Sequence, residues 1–306
     1  MVVDQKNKQL PELPDINGYQ LIQPWEASGS ANWAFAQKDE QQWFIKEFGS
    51  PGYLREQDGF SKQKVEKRAE KCEAFYRSKE AFYARVRQAD TGNLIPVEDF
   101  FRYGTKFYAV SKRVDTSSIN ISDIAAMDRD QKMILLKVLS YSLMNLHAQG
   151  IVHADLKPDN VLVKKTERGI TMKLIDFDAG FLESSPPRGK DISLDLVFMA
   201  PETSLACQDS SVALTAKIDV FSLGLLFHLY YCGAMPEVPE TCLYPSEAVL
   251  RNLPLGLKNE LPQRLKGLID RMLSLSQETR PDMETVFQEL KTMTEKPRGF
   301  SRPPKL

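Results

Sequence analysis

The sequence predicts an α+β fold in two lobes, a β-rich first lobe holding one long helix and a mainly helical second lobe. Three patterns point there. Short alternating runs fill Tyr19 to Phe48, one long helical periodicity fills Gly59 to Gln88, and helical periodicities dominate after Val114.

Taken in order, YQLIQPW, NWAFAQK and QWFIKEF read as strands, with KDEQ as the turn between the last two. From Gly59 to Gln88, Cys72, Phe75, Tyr76, Lys79, Phe82, Tyr83 and Val86 recur at the spacing of one helical face. LIPVEDFFRYG and KFYAVSKRV supply two more strands, a hairpin around Gly104. Met133, Leu136, Leu139, Leu143 and Leu146 mark a helix over Arg129 to Gln149 that stops at Gly150. VLVKK and TMKLIDF form a second strand pair about Glu167-Arg168-Gly169, and Asp178 to Met199 reads as irregular. The apolar stretch from Val220 to Met235 is shorter than the roughly 20 residues of a bilayer span, so it reads as a buried core helix. The polar first residues and the Pro-rich last ones read as tails. The expected divisions are 1–17 flexible, 18–114 first lobe, 115–294 second lobe and 295–306 flexible.

The chain has 306 residues, 42% hydrophobic and 26% charged, enough for a sizeable core, and its net charge is −1. No global field draws it to nucleic acid or to an anionic membrane, so partners must be recognised locally. Four scattered cysteines and three histidines without metal-ligand spacing indicate reduced structural thiols. The opening MVVDQKNKQLPELPD lacks the apolar stretch of a signal peptide. A cytoplasmic protein with no membrane span is expected.

The string His153-Ala154-Asp155-Leu156-Lys157-Pro158-Asp159-Asn160 is followed, sixteen residues beyond Asn160, by Asp176-Phe177-Asp178. It closely resembles the catalytic loop and metal-binding motif of protein kinases, in a form without the arginine before the aspartate. Phe44-Ile45-Lys46, Ala200-Pro201-Glu202, Asp219 to Gly224 and Arg280-Pro281 follow in that family's order, so the resemblance runs from about Tyr19 to Leu290. Any one of these polar residues could simply cap a turn; the ordered set is specific.

The resemblance implies a bilobal protein-kinase-like fold, ATP and Mg²⁺ as the nucleotide and metal, and transfer to Ser/Thr hydroxyls of a protein substrate. Asp155 is then the catalytic base, Lys157 a stabiliser of the transferring phosphate, and Asn160 and Asp176 the Mg²⁺ ligands. Lys46 contacts the α- and β-phosphates, partnered by Glu80 or, seven residues earlier on the same helix, Glu73; Glu80 is favoured by its distance from the next strand. The phosphate-covering loop corresponds to Ala27, Ser28, Gly29, Ser30, Ala31, Asn32, Trp33 and Ala34, and the backbone from Lys112 to Val114 holds adenine. His153 organises the loop, Glu202 and Arg280 form a buried ion pair, and Asp219 holds the loop's backbone.

The sequence departs from the family in four places. Only the middle glycine of the phosphate loop is kept, and Asp178 replaces the glycine after Asp-Phe. Ala154 stands where many members carry an arginine that reads a phosphorylated segment, so Ser184, Ser185 and Ser193 have no cationic receiver there. Asp195 replaces a threonine and is expected to pair with Lys157. Small Ser111, at the back of the adenine site, predicts a roomy pocket.

Two classes of function compete. An active Ser/Thr kinase is supported by the complete set Lys46, Asp155, Lys157, Asn160 and Asp176, and a pseudokinase scaffold by the eroded glycine loop and Asp178. Ala200-Pro201-Glu202 and Arg280 argue against a small-molecule kinase. A separate regulatory protein is the expected source of control.

Overall fold

The computed structural model describes residues 13–29, 31–114, 118–167, 169–192 and 195–294. The tail expected at 295–306, Ser193 and Arg168 lie outside the described residues. The chain divides into two compact units, 1–83 with 97–115, and 84–96 with 116–306.

The first unit is a curled antiparallel sheet of β1 (Asp15–Ile16), β2 (Tyr19–Leu21), β3 (Glu26–Ser28), β4 (Ala31–Lys38), β5 (Gln41–Phe48), β6 (Val97–Tyr103) and β7 (Lys106–Lys112). The order is β1-β2-β4-β5-β7-β6, with β3 also paired to β4. Between β4 and β5 the turn residues Asp39 and Glu40 both take positive φ, 49° and 62°, the geometry that matches the twist of a tight hairpin. Ile16, Tyr19, Leu21, Ala34, Ala36, Ile45, Tyr108 and Val110 form a buried cluster on one side of the sheet. On the other side lies α1 (Lys62–Ala89), whose Phe75 meets Phe48 and Phe107 at centroid distances of 5.6 and 5.3 Å, and whose Tyr76 stacks on Phe100 at 5.5 Å.

Two expectations are corrected in this region. Residues 15–16, expected in a flexible tail, form β1: Ile16 is buried and Asp15 and Ile16 pair with Gln20 and Tyr19. Residues 84–96, expected in the first lobe, group with the second unit. Backbone bonds explain it, since Ile95 N–H donates to Leu174 O at 2.9 Å and Leu174 N–H to Asn93 O at 2.8 Å.

The second unit contains α2 (Ile121–Ala125), α3 (Arg129–Ala148), β8 (Ile151–Val152), β9 (Val161–Thr166), β10 (Gly169–Leu174), β11 (Phe181–Leu182), α4 (Pro201–Ala206), α5 (Lys217–Cys232), α6 (Pro245–Leu250), α7 (Gln263–Met272) and α8 (Met283–Thr294). Asp128 caps α3 by accepting from Gln131 N–H, and Gly150 just past its end takes φ 67°. β9 and β10 pair with each other, as do β8 and β11, which places a short strand inside the stretch expected to be irregular. α5 is mostly apolar and buried from Ile218 to Tyr230, the behaviour of a core helix, with Asp219, Ser222 and His228 its buried polar residues. Its interior Gly224 permits close approach to α7: a Cβ there would lie 3.1 Å from Met272 Cβ. All four cysteines are free thiols. Among the described residues no helix is long and apolar enough to cross a membrane.

Candidate active site

The segment between β8 and β9 is held by a buried carboxylate. Asp219, in the first turn of α5, accepts the backbone N–H of His153 with Oδ2 and that of Ala154 with Oδ1, both at 2.8 Å. His147 Nε2 lies 3.0 Å from the same Oδ2. Burial pushes the Asp219 carboxyl up, but the His147 bond and the facing imidazoles outweigh it and hold the acid below its ordinary value. Ala154 takes φ 62°, a strained conformation for a residue with a Cβ, and the two Asp219 bonds sit at that point.

Anchored this way, the loop brings three of the expected site residues together. Lys157 Nζ sits 3.0 and 2.9 Å from the two carboxylate oxygens of Asp155. Asn160 Nδ2 donates to Asp155 O at 2.7 Å and to Asp155 Oδ2 at 2.8 Å, which leaves Asn160 Oδ1 as a donor atom for a cation. Ile175 N–H donates to Asn160 O at 3.0 Å, tying the residue before Asp176 to the same loop. Asp176 takes φ 59°. Asp178 is absent from the positive-φ residues, so an aspartate replaces the usual glycine without left-handed strain.

Asp195 lies 3.6 Å from Lys157 Nζ through Oδ2, while its Oδ1 accepts the backbone N–H of Val197 and Phe198, each at 3.0 Å. One side chain therefore both shapes a turn and faces the lysine. Burial draws the Lys157 ammonium down, but Asp155, Asp195 and Asp176 together raise it above its ordinary value. His153 is fully buried; Nδ1 accepts from Asp155 N–H at 3.3 Å and Nε2 lies 3.1 Å from Ile175 O. Its ring packs on Phe177 at 4.9 Å. Arg280 and Glu202 form a buried two-pronged pair at 2.6 and 2.9 Å.

Among the described residues no group of three or more His, Cys, Asp or Glu is disposed to hold a metal ion.

In the first unit Lys46 is half-buried on β5, and Glu80 is exposed on α1. Glu73 accepts from Tyr53 Oη at 2.5 Å. Ala27 and Gly29 lie in the β3–β4 hairpin, where Gly29 takes φ 56° and Ala27 pairs with Asn32. The register decides which side chains share the Lys46 face. Trp33 pairs with Lys46, whereas Ala34 pairs with Ile45 and Asn32 with Glu47. The Ala34 side chain is thus in the core on the opposite side from Lys46, and Asn32 Nδ2 donates to Glu47 Oε1 at 3.1 Å. Neither side chain shares the face of Lys46, so any contact of this hairpin with phosphate is left to its backbone amides. Lys112 ends β7 with Nζ 3.5 Å from Glu98, and Val114 follows the strand.

Small Ser111 pairs with Phe44, so the two side chains share one face of the sheet. Trp33, Phe35 and Phe44 form a half-buried cluster there.

Three polar groups escaped the sequence reading. Glu47 is buried and takes hydrogen bonds from Asn32, Tyr108 Oη at 2.8 Å and Lys106 Nζ at 2.5 Å. His147 backs Asp219, and His228 in α5 bonds Ala234 O at 2.7 Å and accepts Lys258 N–H at 3.1 Å. A charged residue alternating with apolar ones in QWFIKEF was the available signal for Glu47; the histidines carried none.

The sequence pattern described as "Protein kinase domain" matches residues 59–290. A probable myosin light chain kinase of Dictyostelium discoideum is 26% identical over 167 residues, 54% of this chain and 53% of that protein. Serine/threonine-protein kinase PAK 4 of Homo sapiens is 28% identical over 194 residues, 61% of this chain and 31% of that protein. The chain thus spans about half or less of the length of these relatives. The solved structure of the Cydia pomonella granulovirus kinase PK-1 superposes with a TM-score of 0.61 at 15% identity, covering 90% of this chain and 93% of the other, a likeness of fold. With that match running through the Asp155 loop, the Asp176 motif and the Glu202–Arg280 pair, this chain belongs to the protein kinase family.

Proposed function

We propose that the chain is a Ser/Thr protein kinase that moves the γ-phosphate of ATP to hydroxyls of a protein substrate. The observation that carries this reading is the Asp155 carboxylate, fixed between Lys157 and Asn160 on a loop anchored by Asp219. Asp155 orients the acceptor hydroxyl and takes its proton as the new O–P bond forms and the bond to the β-phosphate oxygen breaks, leaving ADP. Lys157 sets its charge against the transferring phosphoryl group. Asn160 and Asp176 would hold Mg²⁺, which neutralises phosphate charge when bound. Lys46 would bind the α- and β-phosphates, with Glu80 or Glu73 as its partner. A separate protein would regulate it.

The test is incubation with labelled ATP and Mg²⁺, comparing the natural chain with Asp155→Asn. Transfer to itself or to a generic protein, lost in the variant, supports the reading. The aromatic cluster on the Lys46 face favours a second reading, a pseudokinase scaffold, which predicts no transfer by either protein.

A further inference from the structure

The face of the first-unit sheet that carries Lys46 runs, one residue pair at a time, from α1 toward Lys112–Val114. Phe48 lies under α1, Lys46 is next with Ala109 and Trp33 opposite, and Phe44 follows with Ser111 and Phe35 opposite. Beyond Lys46 the three rings pack on one another. Trp33 stacks on Phe44 at 5.6 Å, and Phe35 stands edge-on to both at 5.4 and 6.2 Å. Arg113 closes the row, its guanidinium 3.8 Å over Phe35 and its Nη1 bonded to Gln42 Oε1 at 2.9 Å.

We propose that this stack fills the subsite where a nucleotide base would lie, so that the chain takes its nucleotide by the phosphates and gains little from the base. The inference rests on Lys46 being the phosphate lysine of the proposed function. Three facts carry it. The rings occupy the strip between Lys46 and the Lys112–Val114 backbone, where no small side chain but Ser111 and Ala109 remains. Their spacings are those of rings in contact, whereas a base inserted between two of them needs roughly 7 Å, two van der Waals contacts. Arg113 pins the outer ring through a cation–π contact and is itself held by Gln42. Phe44 and Trp33 are then specificity-determining residues that act by exclusion.

The test compares ATP with inorganic tripolyphosphate, both with Mg²⁺, on the full chain. Affinity is read by calorimetry, with the ligand-induced rise in unfolding temperature showing that each variant is folded. The natural chain is expected to bind the two within about threefold, and Phe44→Ala to bind ATP at least about tenfold more tightly with tripolyphosphate unchanged. Trp33→Val is a second variant with the same expected direction. A natural chain that prefers ATP strongly, and loses that preference in Phe44→Ala, would overturn the inference and make the rings a stacking platform. Tripolyphosphate binding that Lys46→Ala abolishes, with no gain for ATP in either aromatic variant, overturns the inference and leaves the phosphate site standing. Failure of every protein to bind either ligand overturns both.

Discussion

The carboxylate of Asp219 spans two consecutive backbone amides, those of His153 and Ala154, and it does so where Ala154 is in the left-handed region. Removing it orphans two N–H groups and a buried imidazole contact, each unmet group costing roughly 1–3 kcal/mol. Asp219→Ala is expected to lose at least about 3 kcal/mol of unfolding free energy, together with phosphotransfer. Denaturant unfolding checks this, and a loss below about 1 kcal/mol contradicts the anchoring role.

Asp195 has two separable roles, and two substitutions split them. Asp195→Asn keeps an oxygen for Val197 and Phe198 N–H but removes the charge facing Lys157, so stability should fall by about 0.5–1 kcal/mol at most while turnover drops. Asp195→Ala loses the turn as well and should cost about 1–2 kcal/mol. Equal turnover in all three proteins would remove Asp195 from the positioning of Lys157.

Glu47 predicts an acid limb to the stability of the first unit. Burial raises its carboxyl, but the bonds from Lys106, Tyr108 and Asn32 more than compensate, so its folded value lies below the ordinary 4.5. For a depressed carboxylate the stabilisation is full above the unfolded value and is lost as pH falls through the folded one. Unfolding midpoints measured from about pH 6 to about pH 3, the window around and below the ordinary carboxyl value, should fall less steeply in Glu47→Gln than in the natural chain.

Arg280 and Glu202 are both buried, so breaking the pair leaves a charge without a partner. Glu202→Gln should cost roughly 3–5 kcal/mol, while the double change Glu202→Gln, Arg280→Met should recover part of that loss. A thermodynamic cycle over the four proteins measures it.

Ala154 presents no cation for a phosphate, and the loop's order comes from Asp219 instead. Phosphatase-treated and untreated protein should therefore turn over at the same rate. A large loss on treatment would mean that a phosphate elsewhere shapes the site.

The residues that local spacing fixes were legible in the sequence: Asp155, Lys157 and Asn160 fall together because six residues of loop hold them all. Ordered motifs also carried the distant Glu202–Arg280 pair. Strand faces were not legible, because a shift of one residue turns every side chain to the other side of a sheet. The run NWAFAQK does not itself say which of Trp33 and Ala34 faces with Lys46; the pairing puts Trp33 there and Ala34 on the other side. Glu47 stayed hidden for a related reason, since Lys106 and Tyr108 meet it from two strands away in sequence. Strand β1 was hidden by its polar surroundings, with Ile16 its one buried residue.

That two-residue strand matters for anyone shortening the chain. β1 ends the sheet order, and Pro14 O accepts the N–H of Leu21 at 3.1 Å. A version begun at residue 18 would bare the outer edge of β2 and uncover Tyr19 and Leu21, now 3% and 2% exposed. Unpaired amides beside fresh apolar surface invite a second molecule to add its own strand, so such a truncation should trade monomers for aggregates.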